Sequence, residues 1–470
     1  MITRRHFCEQ SVLAVAAAAL NRTVAESPEF IRGEANETIG HAIIGCRIRG
    51  KAHAAEFGKL NGVAITYVCD PDRKLAEELA DSIESTTGRR PNVVVDLRRV
   101  FESSDVDTVS ICTPNHWHAL ATIWALDAGK DVYVEKPLSH TIEEGLRMIA
   151  AVDRSGRVCQ VGTQNRSHAG IRAAAEFVRG GGLGNVTLAR TMVYGRRNSI
   201  GTKGKYSIPA HIDYNLWLGP AAEETLTRPE LHYDWHWDWN TGNGELGNNN
   251  IHYVDLVRWV LGLQGYGDDV VSIGGRVGYE DAGETPNTQM VVHRFGELPI
   301  IQEVRGLPSG PFSAQVRDGW IVYGSEGFIS GASHFAPDGQ LLKTFSGAAE
   351  NHFANFVDCV RAASPNKVAA PVQEGHQSTA LCHIGNISHR LGQPTPLREI
   401  LHQLQGWKLP TEASATLDRM MQHLGDNQID LERTPLTLGP WLSLTREGHF
   451  RDNLNAEQLR TRTYREPFSL

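Results

Sequence analysis

The chain has 470 residues, 41% of them hydrophobic, more than a single core usually fills, which leads to an expectation of two domains. Its 46 basic and 54 acidic residues give a net charge of -8, so there is no positive field to gather phosphates along a duplex, and nucleic acid is not an expected partner. Seven cysteines stand singly at positions 8, 46, 69, 112, 159, 359 and 382, which fits small buried hydrophobes rather than a disulfide scaffold.

Residues 1–30 read as an export signal and linker. "TRRHF" at Thr3 to Phe7 precedes "SVLAVAAAAL", an apolar run too short to span a bilayer. Paired arginines followed one residue later by Phe mark the twin-arginine route, with an ordinary signal peptide or an amphipathic start as the alternatives. A periplasmic or exported location is therefore expected. No later segment reaches the ~18 apolar residues of a membrane span, so none is expected in the mature protein.

From about His41, β-branched runs alternate with helical stretches, the pattern of a parallel sheet covered by helices. Strands are expected at 42–45, 64–69, 92–95, 108–112, 131–135 and 158–161, forming a Rossmann domain over 39–163. Gly45 and Gly50 occupy the outer positions of a GxGxxG turn between strand and helix, while Arg47 replaces the middle glycine and either crowds the pyrophosphate or pairs with it. Asp70 closes the second strand, where a carboxylate accepts the hydroxyls of an adenosine ribose and repels a 2'-phosphate. NAD is therefore the expected cofactor, with Arg73 leaving NADP possible.

The ends of the fourth and fifth strands carry "CTPNHWHA" and "YVEKPLSH", placing Thr113, Asn115, His118, Glu135 and Lys136 where an open parallel sheet binds its ligand. The HWH triplet has metal-like spacing but no acidic or cysteine companion, so no metal is expected.

"EKP" after a fifth strand, with "TPN" after a fourth, resembles the Gfo/Idh/MocA family, the glucose-fructose oxidoreductase and inositol dehydrogenase group. The resemblance extends through "VGTQNRS", which holds Gln164 as a substrate-side candidate, "YNLWLGPA", "EGHQSTALCHIGNISHRLG" and "LRTRTYREPFSL", the last two being similar to an exported branch. It implies that Lys136 reaches both the nicotinamide ribose and a substrate hydroxyl. It also implies a second, substrate-binding and oligomerisation domain over 164–470, built on an open, largely antiparallel sheet that family members pair in dimers or tetramers. Runs at 270–277, 288–295, 298–305, 320–324 and 328–330 read as strands of that sheet, and the stretch after Ile400 as its extension. The fold class expected is thus α/β followed by α+β.

"GELGNNNIHYVDLVRW" (244–259) reads as a loop entering a helix near Asn250, with an asparagine as N-cap. His252, Asp255 and Trp259 share one face, off the apolar stripe of Val254, Val257 and Leu261. A lone helical histidine is more often structural, but beside an EKP motif His252 becomes the candidate general base and Asp255 a substrate-side candidate. The family typically places an acid four residues before this histidine; here the position is Asn248, which can bond a hydroxyl but cannot carry charge. Upstream, "HYDWHWDWN" sets Trp235, Trp237 and Trp239 at period two, reading either as one face of a strand that stacks a pyranose or as a core ridge.

These residues imply a dehydrogenase that moves hydride between a secondary hydroxyl of a sugar, cyclitol or glycoside and a tightly bound nicotinamide. Two other readings stay open. Some relatives are NAD-dependent glycosidases acting by transient oxidation and elimination, and Arg47 with Asn248 would also suit a non-catalytic nucleotide-binding protein.

Overall fold

The computed structural model of the chain describes residues 38–348, 350–406 and 411–470; the expected export segment lies outside them. The first sheet contains β1 (Ile39–Ile44), β2 (Val63–Cys69), β3 (Asn92–Val94), β4 (Thr108–Ile111), β5 (Asp131–Val134) and β6 (Cys159–Val161). All pair in parallel in the order β3-β2-β1-β4-β5-β6, the dinucleotide-binding arrangement. β1, β4 and β5 are buried along their whole length, because helices cover both faces.

Local chemistry sets the helices around this sheet. α1 (Ile48–Phe57) begins without a side-chain cap. α2 (Arg73–Thr87) is capped by Asp72, which accepts from the amides of Lys74 and Leu75. α3 (Asn115–Asp127) follows the fourth strand, and α4 (Ile142–Ser155) opens with a capping box between Thr141 and Glu144.

The second sheet has eleven strands among the described residues, in the order β14-β13-β12-β11-β7-β10-β9-β8-β16-β15, with β17 also on β8. They are β7 (Val186–Val193), β8 (Asp269–Gly275), β9 (Thr288–Phe295), β10 (Leu298–Arg305), β11 (Gly319–Gly324), β12 (Gly327–Ser330), β13 (Ser333–Phe335), β14 (Leu341–Thr344), β15 (Gln393–Thr395), β16 (Leu436–Leu438) and β17 (Leu442–Ser443). The β7–β10 pair is parallel and the others are antiparallel. β7 lies in the middle of the sheet, yet sequence patterning does not mark it. Its Arg190 is buried in an ion pair with Glu303 of β10, so a charged residue sits where alternation would demand an apolar one.

Alternate residues of β8 to β10 face opposite layers. Val270, Val291 and Val304 pack against α5 (Ile251–Leu261) and α6 (Val372–Arg390). Val271, Val292 and Ile301 pack under Ile400, Leu404, Leu417 and Leu424 from the two helices Leu397–Gly406 and Thr411–Asp426. The stretch after Ile400, expected as an extension of the second domain, covers one face of its sheet.

The chain also returns to the first sheet. Phe353 and Phe356 pack on Phe57 and Tyr133, and Phe468 is buried against Trp117 at 5.6 Å between ring centroids. Among the described residues no helix is long and apolar enough to cross a membrane.

Two glycines shape the first turn. Gly45 has φ +90°, and a Cβ there would lie 2.6 Å from the Cys112 carbonyl, while a Cβ on Gly50 would overlap the Gly45 carbonyl oxygen. Gly50→Ala should therefore lower the melting temperature by several degrees and weaken nucleotide binding, as read by thermal unfolding with and without NAD.

Burial holds several histidines far below the ordinary imidazole value of about 6.5. His41, His116 and His293 fall to about 3, and His383 to about 4. The unfolded chain takes up protons on these rings below about pH 6.5 while the folded chain does not, so stability is full above that pH and falls as pH drops toward 3. Denaturant midpoints at pH 7.5, 6 and 5 should decrease in that order.

Candidate active site

The carboxyl ends of the first sheet open into a cavity of about 350 Å³, lined on one side by Gly45, Arg47, Asp70, Thr113, Glu135 and Lys136. The turn fits a dinucleotide. The uncapped start of α1 leaves its first amides free for a pyrophosphate, and Arg47, exposed at the cavity edge, does not fill the turn. Asp70 fastens the turn to the second strand, its carboxylate accepting from the amides of Cys46 at 2.8 Å and Asp72 at 2.9 Å. Burial pushes its pKa up to about 6. Arg73 pairs with Glu77 on its own helix and does not line the cavity.

Lys136 and Glu135 leave the fifth strand in opposite directions. Glu135 turns into the protein, where its Oε1 accepts from Arg49 Nη2 at 2.6 Å, His53 Nε2 at 2.9 Å and Gln164 Nε2 at 3.1 Å. Burial alone would raise this carboxyl; the His53 hydrogen bond and the Arg49 charge outweigh it and hold it well below the usual range. The network continues inward, from His53 Nδ1 to Ser110 Oγ at 3.0 Å and from there to His41 Nε2 at 2.9 Å. Arg49 and His53, on one face of α1, are functional residues that sequence reasoning missed. Their i, i+4 spacing was visible, but their partner lies 86 residues from Arg49.

Lys136 faces the second domain, its Nζ donating to the Asn248 carbonyl at 2.6 Å. Burial lowers its pKa, with Glu135 opposing the shift. Asn248 and Asn249 complete that wall of the cavity. The residues expected to cap the helix do something else: Leu246–Asn250 form a π-helical turn that runs into α5. Asn250 is not an N-cap, since its Oδ1 accepts from Thr191 and its Nδ2 reaches the Glu303 carbonyl, anchoring the turn to the sheet. The charge absent at Asn248 is supplied nearby by Glu245, buried, paired with Arg197 at 2.8 Å and close enough to act on Lys136.

His252 is not among the residues lining the cavity, although it follows Asn248 by one turn. The ring is partly exposed, and its Nδ1 is buried without a partner among the described residues. Burial, then the Lys136 charge, lowers its pKa to about 3, so the imidazole is neutral.

Several expected contacts are corrected. Asp255 does not face substrate: it is buried in a two-pronged pair with Arg166, 2.8 Å on each arm, and accepts from Ser378 at 2.7 Å. Asn115 donates to Asn243 at 2.6 Å, and His118 bonds the carbonyls of Pro137 and Thr113. Both are buried and shape the strand-end loops without lining the cavity. Gln164 likewise stands behind Glu135, and Gly50 acts through packing.

The tryptophans do not lie on a strand, because Asp234–Trp237 is a short 3-10 turn whose ~120° per residue sends alternate rings in different directions. Trp235 lines the cavity, Trp237 is buried with Ile200 and Ala282, and Trp239 lines a different cavity. His236, which sequence reasoning gave no catalytic role, lines the nucleotide cavity with its Nδ1 at 2.5 Å from the Tyr233 carbonyl. That bond fixes the tautomer and leaves Nε2 as an acceptor; burial lowers its pKa to about 3. Among the described residues no three His, Cys, Asp or Glu side chains form a metal-binding group.

Comparison with known proteins agrees with this geometry. The family described as "Oxidoreductase family, NAD-binding Rossmann fold" matches residues 39–163, and its "C-terminal alpha/beta domain" matches 194–304. Levoglucosan dehydrogenase of Pseudarthrobacter phenanthrenivorans is 25% identical over 229 residues, 48% of this chain and 52% of that protein. An alpha-N-acetylgalactosaminidase of Shewanella oneidensis is 30% identical over 129 residues, 27% of this chain and 28% of that protein. The matches thus span about half or less of these curated relatives.

Among solved structures, the WlbA dehydrogenase from Bordetella pertussis, in complex with NADH and UDP-GlcNAcA, superimposes with a TM-score of 0.54 at 20% identity, covering 73% of this chain and 94% of that one. The two matched family segments, the parallel sheet with its glycine turn and Asp70, and the EKP lysine facing the second domain together identify the chain as a member of the Gfo/Idh/MocA family of NAD-binding oxidoreductases.

Proposed function

We propose that the protein is an exported, NAD-dependent dehydrogenase of a sugar, cyclitol or glycoside, oxidising a secondary hydroxyl held against Lys136. The observation that carries this reading is the Lys136 ammonium, half-buried at the strand ends and aimed at the Asn248 carbonyl across one cleft. The residues present fit the nucleotide: the start of α1 would hold its pyrophosphate, Asp70 its adenosine ribose, and Lys136 its nicotinamide ribose. NAD is favoured over NADP because Asp70 lines the cavity while Arg73 is engaged with Glu77. When bound, the nicotinamide supplies a hydride acceptor at its ring carbon.

The rest of the reaction falls to the chain's own side chains. Lys136 donates to the reacting oxygen and orients it, and its lowered pKa eases movement of a proton through that site. His252 takes the hydroxyl proton. It is neutral, senses the Lys136 charge, and is carried by the helix whose preceding turn presents the Asn248 carbonyl to Nζ. His236, its Nε2 free as an acceptor, holds a second hydroxyl, and Trp235 offers the flat apolar face that a pyranose stacks against.

Lys136→Ala and His252→Ala should each lower kcat by ~10²- to 10⁴-fold while NAD remains bound. His236→Ala should act mainly on KM. Steady-state kinetics over a panel of sugars checks the assignment, and a large kcat loss in His236→Ala with near-normal His252→Ala would transfer the proton to His236.

A second reading is favoured by the likeness to the alpha-N-acetylgalactosaminidase: a glycosidase that oxidises a hydroxyl transiently and restores it within one turnover. Incubating NAD-loaded protein with a glycoside separates the two. A dehydrogenase accumulates absorbance in the reduced-nicotinamide band, whereas a hydrolase releases free sugar with no net change in that band.

A further inference from the structure

The 234–243 segment serves two cavities. Trp235 and His236 line the nucleotide cleft, while Trp239, Asn240 and Asn243 line a second cavity of about 400 Å³, bounded also by α6 and by the chain around Arg462. Its floor holds His140, only 8% exposed, with both ring nitrogens buried and no hydrogen-bond partner for either among the described residues. Arg462 enters from the C-terminal stretch. Its Nη2 donates to the His116 carbonyl at 2.6 Å and meets Glu144 at 2.8 Å, but its Nε and Nη1 are buried and unpartnered. At the rim Arg390 stacks on Trp239, 5.3 Å from the ring centroid, and makes no ion pair with a described residue.

An unmet buried donor costs about 1–3 kcal/mol, and here several converge on one space large enough for a small organic molecule. Guanidinium groups only donate, and the neutral imidazole adds one further donor, so the complement is a group rich in acceptors. Arg390 also brings a positive charge that Glu284 offsets through space without forming an ion pair with it. The acidic side chain at the rim, Glu224, has its pKa pushed up to about 7, first by burial and then by Asp238, so it is partly protonated at neutral pH and opposes an anion weakly. A planar carboxylate matches guanidinium geometry and can accept from the donors left unmet on Arg462.

We propose that this second cavity is a binding site for a small organic acid, whose carboxylate is held by His140, Arg462 and Arg390. The site is independent of the hydride chemistry proposed above. The test is calorimetric titration of the full chain, saturated with NAD, with malonate, using malonamide as the neutral isostere and chloride at matched ionic strength. Malonate should bind saturably with one site per chain, and malonamide and chloride should not. Arg390→Gln, a change at the exposed rim, and His140→Phe should each weaken malonate at least tenfold while the melting temperature without malonate stays near wild type. Lys136→Ala should leave malonate affinity unchanged, separating this cavity from the nucleotide cleft. No saturable malonate binding, equal binding of malonamide, binding unaffected by Arg390→Gln, or loss of binding with Lys136→Ala would each overturn the assignment.

Discussion

The hydrogen bond from Lys136 Nζ to the Asn248 carbonyl, 2.6 Å long across 112 residues of sequence, is the contact on which the cleft depends. It ties the end of the nucleotide-binding sheet to the turn that introduces α5, and so sets the width of the cleft between them. Burial makes the ammonium costly unless it is satisfied, and the carbonyl at the open side of a π-helical turn satisfies it without cancelling its charge. The positive charge therefore remains available within the cleft, as the proposed role for Lys136 requires.

The ammonium is matched by an anion pinned beneath it. Glu135 could pair with Lys136 directly and neutralise it, yet Arg49, His53 and Gln164 draw its Oε1 the other way, into a chain of polar groups that runs down to His41. A buried carboxylate held by several donors is stable as a charge and rigid in position. The same burial strips nearby histidines of their protons. Burial lowers His252 and His236 to pKa values of about 3, so both rings are neutral, and His236 lines the cleft together with the cationic Lys136, Arg47 and Arg49.

The two sheets are held together by elements that contact both. α6 packs Leu381 and Ile384 against the second sheet, while its Thr379 accepts from the Leu138 amide and His383 reaches the Ser139 carbonyl, just beyond the EKP motif. Asn243 takes a hydrogen bond from Asn115 and gives one to the His140 carbonyl. The loops that shape the cleft are thus braced from behind by residues with no direct contact to its interior, which is the support a precisely spaced site requires.

By itself the sequence determined what local spacing can encode: six parallel strands, the glycine turn, Asp70 at the end of the second strand, the EKP lysine and the helix bearing His252. The strands, the turn, Asp70 and the helix follow from periodicity or from a backbone need of a few adjacent residues, whereas the EKP lysine stood out through the resemblance to the Gfo/Idh/MocA family. Only the tertiary structure decided which polar side chains serve the cleft and which serve each other. Asp255 and His252 share a helix face in sequence, but Arg166, 89 residues away, claims Asp255 for a buried ion pair. The tryptophans of the 234–239 stretch alternate in sequence yet divide among the cleft, the core and a second cavity, because a 3-10 turn replaces the strand. β7 was hidden because its Arg190 is neutralised by a residue on another strand. For Asp255 and Arg190 the deciding partner lies far along the chain, and the free energy of pairing a buried charge overrides the local pattern.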